Sequence, residues 1–408
     1  MANFAKKLNL NYIDQITYLQ GMHRSGWPFV MLHLMSLQND KGVLCDTYVD
    51  RTFLWNSSEN DFIPYTVPWI GFIHHTFDTS FSKYNNVTLL QNENFLRSLP
   101  TCKGLFVFSS VSKDKWNKQL RKMGYNIPIE QMVHPTQFVK TRFTMKKFKD
   151  NSERNIVQVG AWLRDNYAIY RLNGGKAKFN LENGTSVHKA ALIGPKMENY
   201  YKPFDFFRHF RNQKWKSSDV VPIPMLKAAT DTVDTPNYAS INGELPPDIV
   251  SDVQTGTTDG MCRDIMCRDS DFALNKYVKG AIELLKDFDN SVNTYPTMTD
   301  SEYDTFLSEN IVFLKMVDAA AVNTLQECIV RNTPIVINPL PAIVEILGEN
   351  YPLYYNNLDE VPKLVTLQRI SEAHDYLVNM DKDSLKIDYF INSLTKSDIY
   401  ANLDVSQI

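Results

Sequence analysis

Polar residues that can transfer protons or bind anions follow several apolar runs in this 408-residue sequence. His74, His75 and Asp78 come directly after the run from Thr66 to Ile73, which is typical of a buried strand. An imidazole can act as a base, or bind a sugar hydroxyl or a diphosphate. Because neighbouring residues of an extended chain face opposite ways, at most one of the two histidines faces a cleft. We interpret all three residues as candidate catalytic residues, with Asp78 either orienting a histidine or having no role.

A predicted helix start farther along the chain suits an anion. The apolar run from Ile311 to Met316 indicates a buried parallel strand, and small residues separate it from a helix that begins near Val322. At such a start, the backbone N–H groups of Asn323 and Thr324 would point at an anion, and the helix dipole would favour a phosphate.

Another predicted strand runs from Asn155 to Gly160, and Arg164 follows it. A guanidinium near the end of a buried strand can hold a phosphate through two parallel hydrogen bonds. We therefore predict a phosphate clamp at Arg164, with an ordinary surface arginine as the alternative.

A glycine-containing loop near the start of the chain has a similar setting. It lies between a predicted strand, Tyr12 to Leu19, and a helix that begins at Pro28, which is a ligand-binding geometry in α/β domains. The loop is neither a G-x-G-x-x-G fingerprint nor a P-loop, so a plain turn is the alternative. Its candidate binding residues are His23, Arg24, Ser25 and Trp27.

Strands and helices that alternate along the chain must position these residues. Two successive runs of strand and helix units, without an internal sequence repeat, predict an α/β protein. We expect two doubly wound Rossmann-like domains that face each other across a cleft. In such sheets, ligands bind beyond the carboxyl ends of the strands.

The predicted domains occupy residues 1–145 and 146–385, and a helical tail at residues 386–408 can cross back to the first domain. The polar, basic stretch from Phe138 to Arg154 is the predicted linker. Within the second domain, Ser217 to Asp269 is rich in Ser, Thr, Asp and Pro, which predicts a mobile insertion.

Composition excludes several classes of protein. A net charge of −3 gives no strong nucleic-acid signal, and no run approaches the length of a membrane span. Five scattered cysteines suit a reducing compartment, so we expect a cytoplasmic protein. We predict no metal site. Cys262 and Cys267 are spaced too widely for the usual two-cysteine motif, and Asp269-Ser270-Asp271 lies in an acidic context where chance explains it.

The segment around Glu327 resembles the donor-binding segment of GT-B-fold glycosyltransferases. In retaining members of that family, a glutamate lies seven positions before a Thr-Pro proline, and another lies eleven positions after it. Here Glu327 and Glu345 stand at those distances from Pro334. The segment looks most like an atypical branch of the family, similar to uncharacterised glycosyltransferases of large viruses or microbes.

The resemblance implies roles for these residues. Glu327 would hold the ribose hydroxyls of a nucleotide, the amides of Asn323 and Thr324 would bind its diphosphate, and Glu345 would contact the sugar or support the site. Gly160 and Arg164 would complete the donor site. The retaining families carry a further glutamate where this sequence has Ala319, so the stereochemistry stays open.

The implied function is transfer of a sugar from a nucleotide diphosphate sugar, such as a UDP- or GDP-sugar, to a hydroxyl-bearing acceptor, with no other cofactor. The acceptor would be a glycan or a small molecule. The histidines and the loop at residues 21–27 would lie on the acceptor side. The alternatives are an epimerase or phosphorylase of similar architecture, an inactive glycan- or nucleotide-binding protein, and a DNA-base glucosyltransferase.

Overall fold

The computed structural model of this protein describes residues 4–11, 26–55, 62–160, 162–165, 168–192, 292–295 and 298–404. Several predictions lie outside these residues and stay predictions. They are the strand at residues 12–19, the loop residues His23, Arg24 and Ser25, the insertion at residues 217–269, the pair Cys262 and Cys267, and the triplet Asp269-Ser270-Asp271.

The first domain is built on a sheet in which five parallel strands lie side by side in chain order. The strands are β1 (Leu8–Asn9), β2 (Val43–Asp46), β3 (Trp69–Phe72), β4 (Cys102–Val107) and β5 (Ile129–Gln131). Because the strands point the same way, their carboxyl ends meet at one edge of the sheet. The two histidines follow β3 at this edge.

Helices cover both faces of this sheet. They include α1 (Trp27–Leu34), α2 (Asn86–Leu89), α3 (Glu93–Ser98) and α4 (Ser110–Lys122). Successive residues of β4 alternate between the two faces, with Leu105 packed in one apolar core and Phe106 in the other. This alternation explains why the strand is apolar from Gly104 to Val107, where both of its faces are buried.

Two predicted element ends differ from the structure. The sequence predicts that β2 continues to Val49, but it ends at Asp46, whose side chain accepts a hydrogen bond from the backbone N–H of Tyr48 at 2.9 Å and so turns the chain. The sequence also predicts Ser112 as the cap of α4. The cap is Ser109, whose hydroxyl accepts the Ser112 N–H, so the helix begins earlier.

The second domain contains a six-stranded sheet with the order β11-β10-β6-β8-β7, and β9 lies beside β8. The strands are β6 (Asn155–Val159), β7 (Lys178–Asn180), β8 (Ser186–Leu192), β9 (Asn293–Thr294), β10 (Ile311–Leu314) and β11 (Ile335–Ile337). All pairings are parallel except that of β7. The chain leaves β6 toward β8 on one side and later fills the other side with β10. A crevice therefore opens at the carboxyl ends of β6 and β10, where ligands bind in such sheets.

The described helices of this domain are α5 (Met145–Asp150), α6 (Ala168–Arg171), α7 (Asp300–Glu309), α8 (Asn323–Arg331), α9 (Pro341–Leu347), α10 (Val361–Leu364) and α11 (Leu367–Asn379). The predicted linker, Phe138 to Arg154, is only partly a linker. Phe143 and Phe148 are buried in the core of the second domain, because α5 packs there.

The last two helices, α12 (Ile387–Lys396) and α13 (Asp398–Ala401), return to the first domain. Phe390 packs against Trp27 and Phe72, and the backbone N–H of Ile399 donates to the Glu130 carboxylate at 2.8 Å. Among the helices that the structure describes, none has both the length and the apolar character that a membrane span requires.

Candidate functional site

The crevice of the second sheet is lined on one side by Arg164. Its guanidinium is almost fully buried and donates one hydrogen bond to the Thr324 hydroxyl at 3.1 Å and another to the Trp162 carbonyl at 2.7 Å. Gly160 has a φ of +70°, and a Cβ atom there would lie 3.3 Å from Arg164 Cζ. Three residues predicted separately from the sequence, Gly160, Arg164 and Thr324, are thus brought together at the ends of β6 and β10.

The start of α8 faces this guanidinium. The helix begins at Asn323, and no side chain caps it. Among the described residues, the backbone N–H groups of Asn323 and Thr324 donate no hydrogen bond, so both can bind a ligand. The helix dipole and the Arg164 cation add positive potential at the same point. The arrangement suits a phosphate or another compact anion.

Hydrogen bonds between loops fix the geometry of this crevice. The Asn338 side chain accepts from the Met316 N–H at 2.7 Å and donates to the Met316 carbonyl at 3.0 Å. The loop after β6 is joined to the loop after β10 by a bond from the Asp165 N–H to the Lys315 carbonyl at 2.8 Å. Because these bonds tie three strand ends together, the anion site is held in place before any ligand binds.

Glu327 lies one turn beyond Thr324 on α8, and residues at this spacing share a helix face. Its carboxylate is buried and accepts a hydrogen bond from the Tyr303 hydroxyl at 2.6 Å. The spacing of Glu327 and Arg331 also allows a surface ion pair, but Glu327 is not on the surface. The Arg331 side chain forms a buried ion pair with Asp304, with 2.6 Å between Nη2 and Oδ1, and it donates a hydrogen bond to the backbone carbonyl of Glu327.

The position where the family has an acid is filled by Ala319, which is buried. The carboxylate of the neighbouring Asp318 accepts the Ala319 N–H at 2.8 Å and so stabilises its own loop.

Glu345 makes contacts that the sequence did not predict. Its carboxylate accepts hydrogen bonds from the Ser110 backbone N–H at 3.0 Å and from the Ser110 hydroxyl at 2.8 Å, and also from the Gln131 side-chain amide. Ser110 and Gln131 belong to the first domain, so Glu345 joins the two domains. A donor contact by Glu345 stays a prediction.

The adjacent histidines lie in different surroundings, as the sequence predicts. The His74 ring packs inside the first domain against Trp27, with 4.4 Å between ring centroids, and its Nε2 lies 3.0 Å from the Thr47 carbonyl. The His75 ring packs against Trp162 of the second domain, with 5.1 Å between centroids. Burial lowers the pKa of both imidazoles, so both are neutral at pH 7. His75 is therefore the neutral imidazole that meets the second domain.

Asp50 orients the histidine pair, which was one of the two alternatives that the sequence left open for Asp78. The buried Asp50 carboxylate accepts hydrogen bonds from the backbone N–H of His74 at 2.6 Å and from the backbone N–H of His75 at 3.3 Å. Its Oδ1 also lies 3.9 Å from the ring Nδ1 of His75. Asp78 instead accepts the N–H groups of Ser80 and Phe81, so it stabilises a local turn. Sequence reasoning missed Asp50, because nothing in the local pattern shows that this residue, just beyond the predicted end of β2, reaches the histidines after β3.

Trp27 begins α1 and packs among aromatic rings of the first domain, including Phe108 and His134. Its predicted role on the acceptor side stays a prediction, as do those of the loop residues before it.

The fold and the site together define a two-domain α/β protein with a crevice, suited to an anion, at a switch point of the second sheet. No family model matches the sequence, and no curated protein matches it. Several solved structures have a similar arrangement. A UDP-forming α,α-trehalose-phosphate synthase from Burkholderia xenovorans is 9% identical, with 91% of this chain and 76% of that chain covered and a TM-score of 0.45.

An E. coli trehalose-6-phosphate structure bound with UDP-2-fluoro glucose is 10% identical, with 95% of this chain and 83% of that chain covered and a TM-score of 0.46. A TarM mutant from S. aureus, in complex with fondaparinux, α-GlcNAc-glycerol and UDP, is 9% identical, with 91% of this chain covered and a TM-score of 0.45. This chain spans 59% of the TarM chain.

Proposed function

We propose that this protein is a glycosyltransferase that moves a sugar from a nucleotide diphosphate sugar to a hydroxyl-bearing acceptor. The observation that carries the proposal is the anion site formed by Arg164, Thr324 and the first N–H groups of α8. Two N–H groups, a hydroxyl and a guanidinium around one helix start can bind the oxygens of a diphosphate.

The reaction needs stabilisation of the negative charge that develops on the leaving diphosphate. Arg164 and the α8 dipole supply positive charge that is already fixed in place, so little reorganisation is needed as the bond to the sugar breaks. We propose that these groups act without a bound metal ion, and that the nucleotide sugar, a UDP- or GDP-sugar, is the only cosubstrate besides the acceptor.

Glu327 would bind the ribose. Its carboxylate is held by Tyr303 on the helix face that it shares with Thr324, so a ribose joined to a diphosphate at Thr324 comes within its reach. Two ribose hydroxyls can donate to one carboxylate, which favours a ribonucleotide over a simple diphosphate.

His75 would serve the sugar-transfer side of the cleft. It packs on Trp162, and the Trp162 carbonyl accepts a hydrogen bond from Arg164, so the imidazole is linked to the anion site through one residue. A neutral imidazole can accept the proton of an acceptor hydroxyl if the enzyme inverts, or bind the donor sugar if it retains.

The buried thiols of the protein suit a reducing compartment, and we propose the cytoplasm. Among the described cysteines, Cys102 and Cys328 are buried and form no disulfide. A burial of this kind keeps thiols inert, which is typical of proteins that form no disulfides.

A second candidate function is a nucleotide- or glycan-binding protein without catalysis. Ala319 favours it, because no carboxylate occupies that position and Asp318 is engaged in its own loop. The two functions differ in turnover, since a binding protein releases no nucleotide from a nucleotide sugar.

A ligand panel tests the proposal. Thermal shift and calorimetry with UDP, GDP, UDP-glucose and GDP-mannose identify the donor, and release of UDP or GDP measures turnover. We expect Arg164→Ala to lose about tenfold or more in affinity, because it removes charge-assisted bonds to the diphosphate. Arg369→Ala is the matched control, since Arg369 is half-exposed and pairs only with Glu372 among the described residues. Binding of none of the four ligands, or equal binding by Arg164→Ala and wild type, contradicts the proposal.

A further inference from the structure

Glu345 contacts the ends of two neighbouring elements of the first domain from the second domain. Ser110 begins α4 directly after β4, and Gln131 ends β5. β4 also pairs with β3, the strand that leads into His74 and His75. One carboxylate on α9 thus holds the strand edge that carries the histidines.

The contact is electrostatically favourable for its position. The Glu345 carboxylate accepts the N–H of the first residue of α4, where the dipole of a 13-residue helix favours negative charge. Ser109 already caps this helix end through the Ser112 N–H, so Glu345 is not needed to complete the cap. Glu345 is exposed, and an exposed contact of this kind can open and close readily.

The same helix is tied to the anion site. α9 begins three residues after Asn338, whose side chain holds the Met316 backbone. Met316 in turn forms a backbone bridge with Arg164. A short, hydrogen-bonded path therefore runs from Glu345 to the guanidinium that we assign to the diphosphate.

Other described contacts also cross between the domains. The Gln326 side-chain amide donates to the His134 carbonyl at 2.8 Å, and the Thr136 N–H donates to the Leu385 carbonyl at 3.0 Å. The Trp162 ring packs on His75 and on Phe81, which is buried in the core of the second domain. These contacts come from α8, from the segment before α12 and from the loop after β6, whereas Glu345 acts from α9. Glu345 therefore adds a separate point of attachment, which restrains the rotation of one domain on the other.

We infer that Glu345 is a positioning residue: through Ser110 and Gln131 it sets the alignment of His75 in the first domain with Arg164 in the second. This inference rests on the proposed function. The resemblance instead assigns Glu345 to the sugar or its surroundings. The two roles differ in which partner substitutions reproduce the loss of Glu345.

The first test measures domain alignment without any ligand. Met123 and Val378 are exposed and belong to different domains. A ketone-bearing amino acid at each position allows a fluorophore pair to be attached, and energy transfer between the fluorophores reports the distance between the two positions. We expect energy transfer to fall in part of the molecules for Glu345→Ala and for the double variant Ser110→Ala, Gln131→Ala. The triple variant that combines them should show no larger fall than Glu345→Ala, because all three residues act through the same contact. Glu349→Ala, an exposed carboxylate just beyond α9, should match wild type. Unchanged energy transfer in Glu345→Ala overturns the inference.

The second test separates positioning from sugar binding, with the donor that the panel identifies as tightest, UDP-glucose or GDP-mannose. We expect Glu345→Ala to lower kcat by about tenfold or more. The Ser110→Ala, Gln131→Ala variant keeps the backbone N–H of residue 110 and should lower kcat less, and donor affinity should stay within about twofold of wild type in both. Glu345→Gln should recover part of the rate, because its amide oxygen can still accept from Ser110. A loss of donor affinity in Glu345→Ala alone, with the double variant unaffected, overturns the inference in favour of a sugar contact.

The two tests also keep the inference apart from the proposed function. If wild type binds none of the donors, the proposed function fails, and the energy-transfer result alone decides whether Glu345 aligns the domains.

Discussion

Replacing Glu327 by glutamine should separate the two ends of a bound nucleotide diphosphate. The substitution removes the negative charge but keeps the length of the side chain and an oxygen that can accept from the Tyr303 hydroxyl. The protein should therefore stay folded. The diphosphate end of the site, at Arg164 and Thr324, is not altered by it.

The expected magnitude follows from the hydrogen bonds that are lost. A bond to a charged group contributes about 1.5–3 kcal/mol, and each 1.4 kcal/mol changes a dissociation constant about tenfold. If the ribose hydroxyls donate to Glu327, the affinity for UDP or GDP should fall by roughly 10- to 150-fold. The affinity for inorganic pyrophosphate, which has no ribose, should not change.

Calorimetry with UDP, GDP and pyrophosphate on the wild type and both variants measures these effects. Arg164→Ala should weaken the binding of all three ligands. The two variants therefore differ in pyrophosphate affinity, which falls in Arg164→Ala and stays unchanged in Glu327→Gln. Glu349→Gln, which changes an exposed carboxylate, serves as the control. An equal loss of pyrophosphate and UDP affinity in Glu327→Gln, or no loss of either, would refute the ribose assignment.

Two further predictions concern buried charges. Asp304→Ala leaves the buried Arg331 guanidinium without its ion-pair partner, so it should lower the free energy of unfolding, measured in urea, by about 3–5 kcal/mol. Asp375→Ala, which changes an exposed carboxylate, should alter the free energy of unfolding little. Equal urea midpoints for the two variants would contradict the role of this ion pair. Burial raises the pKa of Asp46 from 3.8 to about 6, so the folded state favours the neutral carboxyl group. The stability that this preference contributes is fully present below pH 4 and is lost as the pH rises through 6. Asp46→Asn should therefore be more stable than wild type by roughly 2–3 kcal/mol at pH 8, with the difference vanishing near pH 4, and a pH-independent difference in urea midpoints would show that the Asp46 charge has no such effect.

The parts of the site that sequence could predict are those fixed by local pattern. Arg164 follows a clear apolar run, and Thr324 lies at a helix start that the preceding small residues predict. Parallel strands place both at one sheet edge, so their meeting follows from the order of the elements.

The parts that sequence missed depend on tertiary packing. Glu327 and Arg331 have the spacing of a surface ion pair, and only the position of α7 shows that Asp304 takes the arginine and Tyr303 takes the glutamate. Asp50 was missed because its contact with the residues after β3 depends on how the segment after β2 packs, which the local pattern does not show. Glu345 was given a role in its own domain, since the chain pattern does not reveal which surface of the other domain it meets.

The return of α12 and α13 to the first domain has a consequence for the order in which the protein folds during synthesis. These helices supply Phe390 and Ile399 to the apolar face of a sheet whose other members, such as Phe72 and Phe106, are made hundreds of residues earlier. Until the last helices leave the ribosome, that face is covered by α1 but lacks the contribution of α12 and α13. The second domain can therefore complete its core before the first domain does. Until α12 and α13 pack, the nascent chain exposes part of the apolar face of the first sheet, which chaperones can bind.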